Sequence, residues 1–189
     1  MKQDVLSQQN TVFLIIDPQE KLLPKVFEPQ RVTDNIILLI RFAYIMDLPL
    51  IVTTQYAKGI GSIVERIREK LSEQSFLDKV EFGCFNNKAF TEHIGHLTGP
   101  KDTLVLAGIE SHICVMQTAL GAIEHDYTVH VASDAVSSRT EWNWKIGLER
   151  MKTAGAVISS TEMVIYEILK RSDCPQFKEI LPDLRNSVT

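Results

Sequence analysis

Short apolar runs alternate with amphipathic stretches along most of this chain, and the runs have the composition of buried β-strands. A run that is apolar without polar alternation is typical of a parallel strand covered on both faces. A sixth, shorter candidate strand lies near Leu77–Val80. The five longer runs are Val12–Ile16, Leu50–Thr54, Leu104–Ala107, Val129–Ala132 and Ala156–Ser159.

Helices are predicted between and after these strands, because apolar residues recur there at helical spacing. One of them follows Ser138-Arg-Thr-Glu141, which has the pattern of a capping box. Strands that alternate with helices of this length form βαβ units. The pattern therefore predicts an α/β fold with a mainly parallel sheet and helices on both faces. The predicted helices span 32–46, 111–125, 139–153 and 161–171.

The composition is that of one globular domain, predicted to span residues 1–189. Hydrophobic residues make up 44% of the chain, and no internal repeat, low-complexity tract or linker divides it. The formal net charge is −4 without a run of five like charges, which argues against a nucleic-acid groove and a polybasic membrane patch. No apolar stretch approaches the roughly 20 residues that span a bilayer. We therefore expect neither nucleic acid nor membrane as a partner.

The cysteines indicate a reducing compartment. Cys84, Cys114 and Cys174 are far apart and include no CxxC pair, so neither a disulfide framework nor a thiolate zinc site is predicted. The N-terminal segment is polar and lacks the apolar core of a signal peptide. The expected localisation is therefore cytoplasmic, and no chemical role is expected for Cys84 or Cys174.

Cys114 is the strongest candidate for chemistry, because a strand, a glycine turn and the start of a helix lead up to it. Ser111 is a plausible N-cap, which would place the thiol in the first helical turn. Backbone N–H groups and the helix dipole stabilise a thiolate there, which suits a nucleophile. The alternative is an inert core cysteine, since free cysteine is among the most buried residue types. His112 is a poor partner, because residues two apart on a helix do not face each other.

Asp17 and Lys79 fall at or beside predicted strand ends, where open doubly wound sheets bind ligands. Asp17 precedes Pro18, so its carboxylate is either a general acid or base, or a turn former. Lys79 lies among apolar residues, where an amine needs a carboxylate partner to keep its proton. Near a thiol it would favour the thiolate, and near Asp17 it would hold that carboxylate in place. The alternative is a solvated lysine on an edge strand.

The segment after the fifth predicted strand is interpreted as mainly structural. Asp134 is expected at a strand end, Ser138 as a helix cap, and Arg139 as a charge partner across the site or at an interface. His93 and His96 would provide at most two ligands, and the other histidines show no ligand spacing. No metal site is predicted.

These residues and their order resemble the isochorismatase-like cysteine hydrolase superfamily, which includes nicotinamidases and N-carbamoylsarcosine amidohydrolases. Two further segments, TTQYAKGIG (53–61) and CPQFKEI (174–180), are similar more narrowly to the small isochorismatase-domain-containing proteins. The segments that carry the broader resemblance are FLIIDPQEKL (13–22), DKVEF (78–82), VLAGIESHICVMQTAL (105–120) and VHVASDAVSSR (129–139).

The resemblance implies a three-layer α/β/α fold with a doubly wound, Rossmann-like sheet of six strands. It implies a catalytic triad of Asp17, Lys79 and Cys114, and a cis peptide bond between Ile109 and Glu110. The backbone N–H groups of Glu110 and Cys114 would then form an oxyanion hole. It also implies a homo-oligomer, at least a dimer, that acts on a small-molecule substrate.

One departure from the family concerns the metal. Nicotinamidases carry an Asp-x-His metal motif after the second strand, whereas this chain reads Thr53-Thr-Gln-Tyr56 there. Neither a metal nor another cofactor is therefore predicted, and nicotinamide is disfavoured as the substrate. The residues expected to line the substrate pocket, because they adjoin strand ends and the triad, are Gln19, Gln55, Tyr56 and Phe82.

Three functions are compatible with these observations. The leading hypothesis is a metal-independent hydrolase that cleaves a C–N bond of a small amide-like metabolite through a thioester on Cys114. The first alternative is vinyl ether hydrolysis, as in isochorismatases proper, with Asp17 as the acid and Cys114 incidental. The second is a non-catalytic oligomeric binding protein, which would need none of the three triad residues.

Overall fold

The computed structural model describes residues 5–71, 76–97, 99 and 101–186. Its strands are β1 (Thr11–Ile16), β2 (Leu50–Gln55), β3 (Leu77–Lys79), β4 (Thr103–Ile109), β5 (Thr128–Ser137) and β6 (Val157–Ser159). They form one sheet in the order β3-β2-β1-β4-β5-β6, and every neighbouring pair is parallel. The predicted doubly wound α/β class is confirmed, with a sheet that is parallel throughout.

Helices cover both faces of this sheet. Those described are α1 (Pro29–Ile45), α2 (Ala57–Ile60), α3 (Glu65–Arg68), α4 (Lys88–Gly95), α5 (Met116–Glu124), α6 (Glu141–Thr153), α7 (Thr161–Leu169) and α8 (Pro175–Asn186). The sequence pattern predicts α1, α5, α6 and α7 and misses the others. Two of the missed helices, α2 and α3, are single turns of four residues, too short to show a period. None of the described helices is long and apolar enough to cross a bilayer.

Strand β1 is continuously apolar from Val12 to Ile16, and its place at the centre of the sheet explains why. Alternate residues of a strand point to opposite faces of the sheet. Phe13 and Ile15 pack into the core formed with α1, α7 and α8, whereas Val12, Leu14 and Ile16 pack into the core formed with α4 and α5. All six residues of the strand are fully buried. Both faces are therefore covered, as the continuous apolar run predicts.

The fifth strand is longer than predicted, and the position expected for Asp134 is wrong. The pairing register shifts so that β4 advances from Leu106 to Gly108 while β5 advances from Val131 to Val136. This irregularity lets β5 continue alongside β4, so that Asp134 lies inside the strand and not at its end. Its carboxylate accepts hydrogen bonds of 2.8 and 3.0 Å from the backbone N–H and the hydroxyl of Thr161, at the start of α7.

Both predicted serine caps are also wrong. The N-cap of α6 is Thr140, whose hydroxyl accepts a 3.1 Å hydrogen bond from the backbone N–H of Asn143. Ser138 lies before this cap, and its hydroxyl is 2.5 Å from that of Ser111. The helix after β4 begins with one π-helical turn, Ser111–Val115, whose N-cap position is occupied by Glu110. The two serines bind each other because the β4 and β5 ends lie side by side.

Candidate active site

The candidate site lies where the strand order reverses. Strand β1 is adjacent to β4. Strands β2 and β3 follow on one side of this pair, and β5 and β6 follow on the other. Ligands of open α/β sheets bind beyond the carboxyl ends of such a pair. Asp17 follows β1 directly, and the peptide bond between Ile109 and Glu110 at the end of β4 is cis. The chain therefore presents its unusual backbone features at this edge.

Asp17 is fully buried and is held by two side chains. Its backbone has a left-handed conformation with φ of 50°, which Asp tolerates better than most residues. Thr53 donates a 2.7 Å hydrogen bond to one carboxylate oxygen, and the Lys79 ammonium lies 2.7 Å from the other. A buried carboxylate is tolerated when it is paired and hydrogen-bonded in this way.

Lys79 ends the edge strand β3 but is only 3% exposed, so a solvated lysine does not describe it. Its ammonium donates to Asp17 and, over 2.9 Å, to the side-chain oxygen of Gln55. Burial by itself would lower the pKa of the amine. The nearby Asp17 carboxylate, with smaller contributions from Cys84 and Cys114, outweighs burial and raises the pKa. Lys79 is therefore a permanent cation at neutral pH.

Cys114 reaches this site through a close approach of β4 to β1. Gly108 in β4 has φ of 115°, and a Cβ there would lie 2.1 Å from the carbonyl oxygen of Ile16, so only glycine fits. The π-helical turn after β4 then carries Cys114, which is 6% exposed. Its sulfur lies 4.0 Å from the Gln55 side-chain oxygen. The structure thus brings Asp17, Lys79 and Cys114 into one buried cluster.

The thiol of Cys114 is held in its protonated form. Burial raises its pKa well above the ordinary range, and the Asp17 carboxylate raises it further, while Lys79 lowers it in part. A hydrogen bond from the thiol to Asp17 acts in the same upward direction. This corrects the expectation that the helix end would favour a thiolate, because burial and the carboxylate dominate. A reaction at this sulfur would consequently need a base, and the Asp17 carboxylate is adjacent.

The four residues predicted to line a pocket fall into two pairs. Gln19 and Gln55 are buried, and Gln19 donates to the carbonyl oxygens of Gln55 and Gly61, which pins the loop after β2. The prediction that Gln19 lines the pocket is not supported, since its side-chain oxygen also binds the Gln55 backbone N–H. Tyr56 and Phe82 are 49% and 54% exposed, and they follow β2 and β3 at the same sheet edge. That Tyr56 and Phe82 line the substrate pocket remains a prediction.

A second ion pair braces the turn that carries Cys114. The Glu110 carboxylate accepts hydrogen bonds from the backbone N–H and the guanidinium of Arg139, at 2.9 and 3.1 Å. His112 binds the Ser138 hydroxyl at 2.9 Å. Its pKa is lowered, first by burial and then by Arg139, against the opposing effect of Glu110. His112 is therefore a neutral brace of the turn.

Sequence reasoning missed Thr53 as a hydrogen-bond partner of Asp17, and it missed the position of Cys84 beside the site. Thr53 is a polar residue at a fully buried position of β2, and a polar residue within a predicted buried strand is the one signal that could have indicated it. Cys84 is fully buried beside the site, and burial raises its pKa to about 11 despite the opposing effect of Lys79. In the part of the chain that the structure describes, no group of three or more His, Cys, Asp or Glu residues is arranged to hold a metal ion.

Comparison with known sequences gives one consistent result. A model of the isochorismatase domain matches residues 11–163. The secreted isochorismatase effector Isc1 of Phytophthora sojae is 33% identical over 178 residues, covering 93% of this chain and 84% of that protein. Isochorismatase domain-containing protein 2 of Danio rerio is 31% identical over 176 residues, covering 93% and 87%.

Solved structures share the fold over nearly the whole chain. MAR1 ribonuclease from Caenorhabditis elegans is 31% identical, with a TM-score of 0.88 over 95% of this chain and 92% of that one. YcaC from Pseudomonas aeruginosa, solved with covalent acrylamide, is 25% identical, with a TM-score of 0.90 over 100% and 96%. YcaC from Escherichia coli, described as an octameric hydrolase of unknown specificity, is 25% identical, with a TM-score of 0.89 over 100% and 96%.

Proposed function

The chain belongs to the isochorismatase family, and we propose that it is a metal-independent hydrolase that cleaves a C–N bond of a small amide-like metabolite. The observation that carries the proposal is the buried cluster of Asp17, Lys79 and Cys114. Its carboxylate and ammonium are 2.7 Å apart, and burial and Asp17 keep the neighbouring thiol protonated. A thiol beside a buried base has the arrangement of an activated nucleophile.

The first half of the proposed reaction forms a thioester. Asp17 accepts the thiol proton as the Cys114 sulfur bonds to the substrate carbonyl carbon, and the carbonyl oxygen becomes an oxyanion. The backbone N–H groups of Glu110 and Cys114 donate to this oxyanion, which is worth about 3 kcal/mol per donor in comparable sites. Asp17 then gives its proton to the leaving nitrogen, the C–N bond breaks, and an acyl group stays on sulfur.

The second half restores the enzyme. Water attacks the thioester carbon while Asp17 accepts a proton from that water, and the resulting oxyanion occupies the same donors. The C–S bond then breaks, the carboxylic acid product leaves, and Asp17 returns the proton to the Cys114 sulfur. Lys79 stays protonated throughout, and its charge balances the negative charge shared by Asp17 and sulfur.

Two relatives bear on the choice of reaction. The covalent acrylamide on the Pseudomonas aeruginosa relative supports a reactive nucleophile in that protein, since acrylamide alkylates nucleophiles at its double bond, and it leaves the bond that is cleaved open. The Caenorhabditis elegans relative is described as a ribonuclease. The net charge of −4 and the burial of Asp17, Lys79 and Cys114 favour a small ligand over a polynucleotide here. Vinyl ether hydrolysis with Asp17 as the acid stays the alternative, and it differs by not needing the thiol.

We also propose that the chain forms a homo-oligomer. The Escherichia coli relative is an octamer, and its likeness covers the whole of this chain. Several large apolar side chains are exposed in the described part of a single chain. Light scattering on the purified protein tests this proposal, which requires a species of at least two chains.

We propose that the protein is located in the cytoplasm, because its cysteines are not paired in disulfides. Cys84, Cys114 and Cys174 are all free thiols. Free thiols persist in reducing compartments. Because the Phytophthora sojae relative is described as secreted, detecting the protein in the culture medium of intact cells would overturn this assignment.

The experiment that tests the function is intact-mass spectrometry after brief incubation with a panel of small amides, ureides and esters. The Cys114→Ala variant is the control, and ammonia release is followed in parallel. A mass increment that depends on Cys114 supports the thioester and identifies the acyl group. Turnover that survives Cys114→Ala, tested also with enol ethers, overturns it in favour of the ether-hydrolysis alternative.

A further inference from the structure

Gln55 connects two members of the cluster through a single atom. This residue ends β2 and is buried. Its side-chain oxygen accepts a 2.9 Å hydrogen bond from the Lys79 ammonium and lies 4.0 Å from the Cys114 sulfur. Its side-chain nitrogen donates over 2.9 Å to the carbonyl oxygen of Val80. Both ends of the carboxamide therefore have partners inside the site.

These partners fix which end of the carboxamide faces the thiol. An ammonium group only donates, so the oxygen of Gln55 must face Lys79. A backbone carbonyl only accepts, so the nitrogen must face Val80. The backbone of Gln55 is also held, because Gln19 accepts from its N–H at 2.7 Å and donates to its carbonyl at 3.1 Å. The oxygen consequently cannot turn away from the Cys114 sulfur without breaking the side-chain hydrogen bonds to Lys79 and Val80.

The fixed oxygen acts on the ionisation of the thiol in two ways. Its partial negative charge opposes a negative charge on the sulfur, whose single proton is donated to the Asp17 carboxylate. It also occupies an N–H of Lys79 that could otherwise donate to a thiolate. The charged and titratable groups that face Cys114 from the surrounding elements are Asp17, Lys79 and Cys84.

We propose that Gln55 is a positioning residue that couples Lys79 to Cys114 and keeps the nucleophile as a thiol until the substrate arrives. This inference rests on the proposed thioester chemistry and replaces the expectation that Gln55 lines the substrate pocket. Keeping the proton on the sulfur matters for the proposed reaction. The proton that later protonates the leaving nitrogen must come from the thiol by way of Asp17. A thiol that lost its proton to solvent beforehand would leave Asp17 without one to deliver.

Two substitutions at this position make opposite predictions. Gln55→Met keeps the size of the side chain, removes the oxygen and frees Lys79 to donate to sulfur, so the thiolate becomes more populated. Gln55→Glu keeps the shape and adds a negative charge beside the sulfur, so the thiolate becomes less populated. Thr54→Val is the matched control, because Thr54 is the neighbouring buried residue of β2 and binds Asp78, outside the cluster.

The experiment measures the rate of Cys114 alkylation by iodoacetamide as a function of pH on the full chain. The adduct is followed by the mass of the Cys114 peptide after digestion, because an intact mass would also count adducts on Cys84 and Cys174. In this step the sulfur bonds to the reagent carbon, iodide leaves, and the thiol proton passes to solvent. At a given pH, the rate should rise about tenfold in Gln55→Met and fall about tenfold in Gln55→Glu, since a shift of one pKa unit changes the thiolate fraction tenfold. Thr54→Val should match the wild-type rate, and melting curves establish that each variant is folded.

The outcomes separate the inference from the function on which it rests. Opposite shifts in the two variants support the positioning role, because a loosened site would speed alkylation in both. Shifts of the same sign, or none, overturn it. If the panel identifies a substrate, a positioning role predicts a fall in kcat with KM retained, whereas a rise in KM alone would return Gln55 to the pocket wall. Turnover that survives Cys114→Ala would instead overturn the proposed function itself.

Discussion

Two ion pairs stand at the carboxyl edge of this sheet, and they differ in what surrounds them. The inner pair, Asp17 and Lys79, has side chains that are 0% and 2% exposed. In the outer pair, Glu110 and Arg139, the arginine side chain is 62% exposed. Charges buried as deeply as the inner pair cost several kcal/mol each to desolvate, whereas an exposed pair costs and contributes little. The cost of burying this pair beside a thiol is consistent with the catalytic role proposed for it.

The largest expected effect comes from breaking the inner pair. Lys79→Met should lower the free energy of unfolding by about 3–5 kcal/mol, because it leaves the Asp17 carboxylate buried without its cation. Urea unfolding measures this loss. The double variant Asp17→Asn with Lys79→Met should be less destabilised than Lys79→Met alone. A loss below about 1 kcal/mol in the single variant would contradict the view that the pair is desolvated.

Removing a neutral partner of the inner pair should have an intermediate effect. Thr53→Val deletes the hydroxyl that donates to Asp17 at 2.7 Å and should cost about 1.5–3 kcal/mol, since hydrogen bonds to charged groups are the stronger ones. Thr54→Val is the comparison, because Thr54 donates at 2.8 Å to Asp78, which lies in an exposed position. Equal losses in the two variants would show that burial of the acceptor does not matter.

Breaking the outer pair should matter less. Arg139→Met should lower the free energy of unfolding by about 1 kcal/mol or less, as for exposed pairs in general. The Glu110 carboxylate also keeps the backbone N–H of residue 139 as a donor, at 2.9 Å. A loss as large as that of Lys79→Met, measured by the same urea titration, would erase the distinction between the pairs.

The smallest expected effect is a pH dependence from His112. Its pKa is lowered in the folded chain, so the unfolded chain binds a proton near pH 6.5 that the folded chain does not. Its contribution to stability is therefore fully present above about pH 6.5 and is lost as the pH falls. Urea titrations at about pH 7.5 and about pH 5.5 should show a smaller decline in His112→Asn than in the wild type. An identical decline would assign the acid sensitivity to other groups.

The parts of the fold that the sequence predicts well are those that local pattern determines. Strand β1 is apolar from Val12 to Ile16 because both its faces are covered, and it was predicted to within one residue of its start. The end of β5 and the cap of α6 depend on pairing with β4 and on a serine from another segment, so no local pattern indicates them. The missed helices α2 and α3 are too short for periodicity to act as a signal.

The candidate site divides in the same way. Asp17, Lys79 and Cys114 were candidates from their places at a strand end or a helix start, and the resemblance to the isochorismatase-like hydrolases joined them into a predicted triad. Thr53 and Gln55 are ordinary polar residues whose importance comes from contacts with Asp17 and Lys79, and these lie 36 and 24 positions away in the sequence. Such contacts exist only after the sheet has formed. The protonated state of Cys114 was predicted wrongly because burial, which the helix-end argument omits, dominates its pKa.

The central claim is that Cys114 is the nucleophile, and a comparison of two thiols tests it most directly. Cys84 is also buried and also lies near Lys79, but no step of the proposed reaction uses it. With the substrate that the panel identifies, Cys114→Ala should lose roughly a thousandfold or more in kcat/KM, as removal of a catalytic nucleophile does elsewhere. Cys84→Ala should stay within about tenfold of the wild type. Turnover by Cys114→Ala close to that of Cys84→Ala would contradict the account.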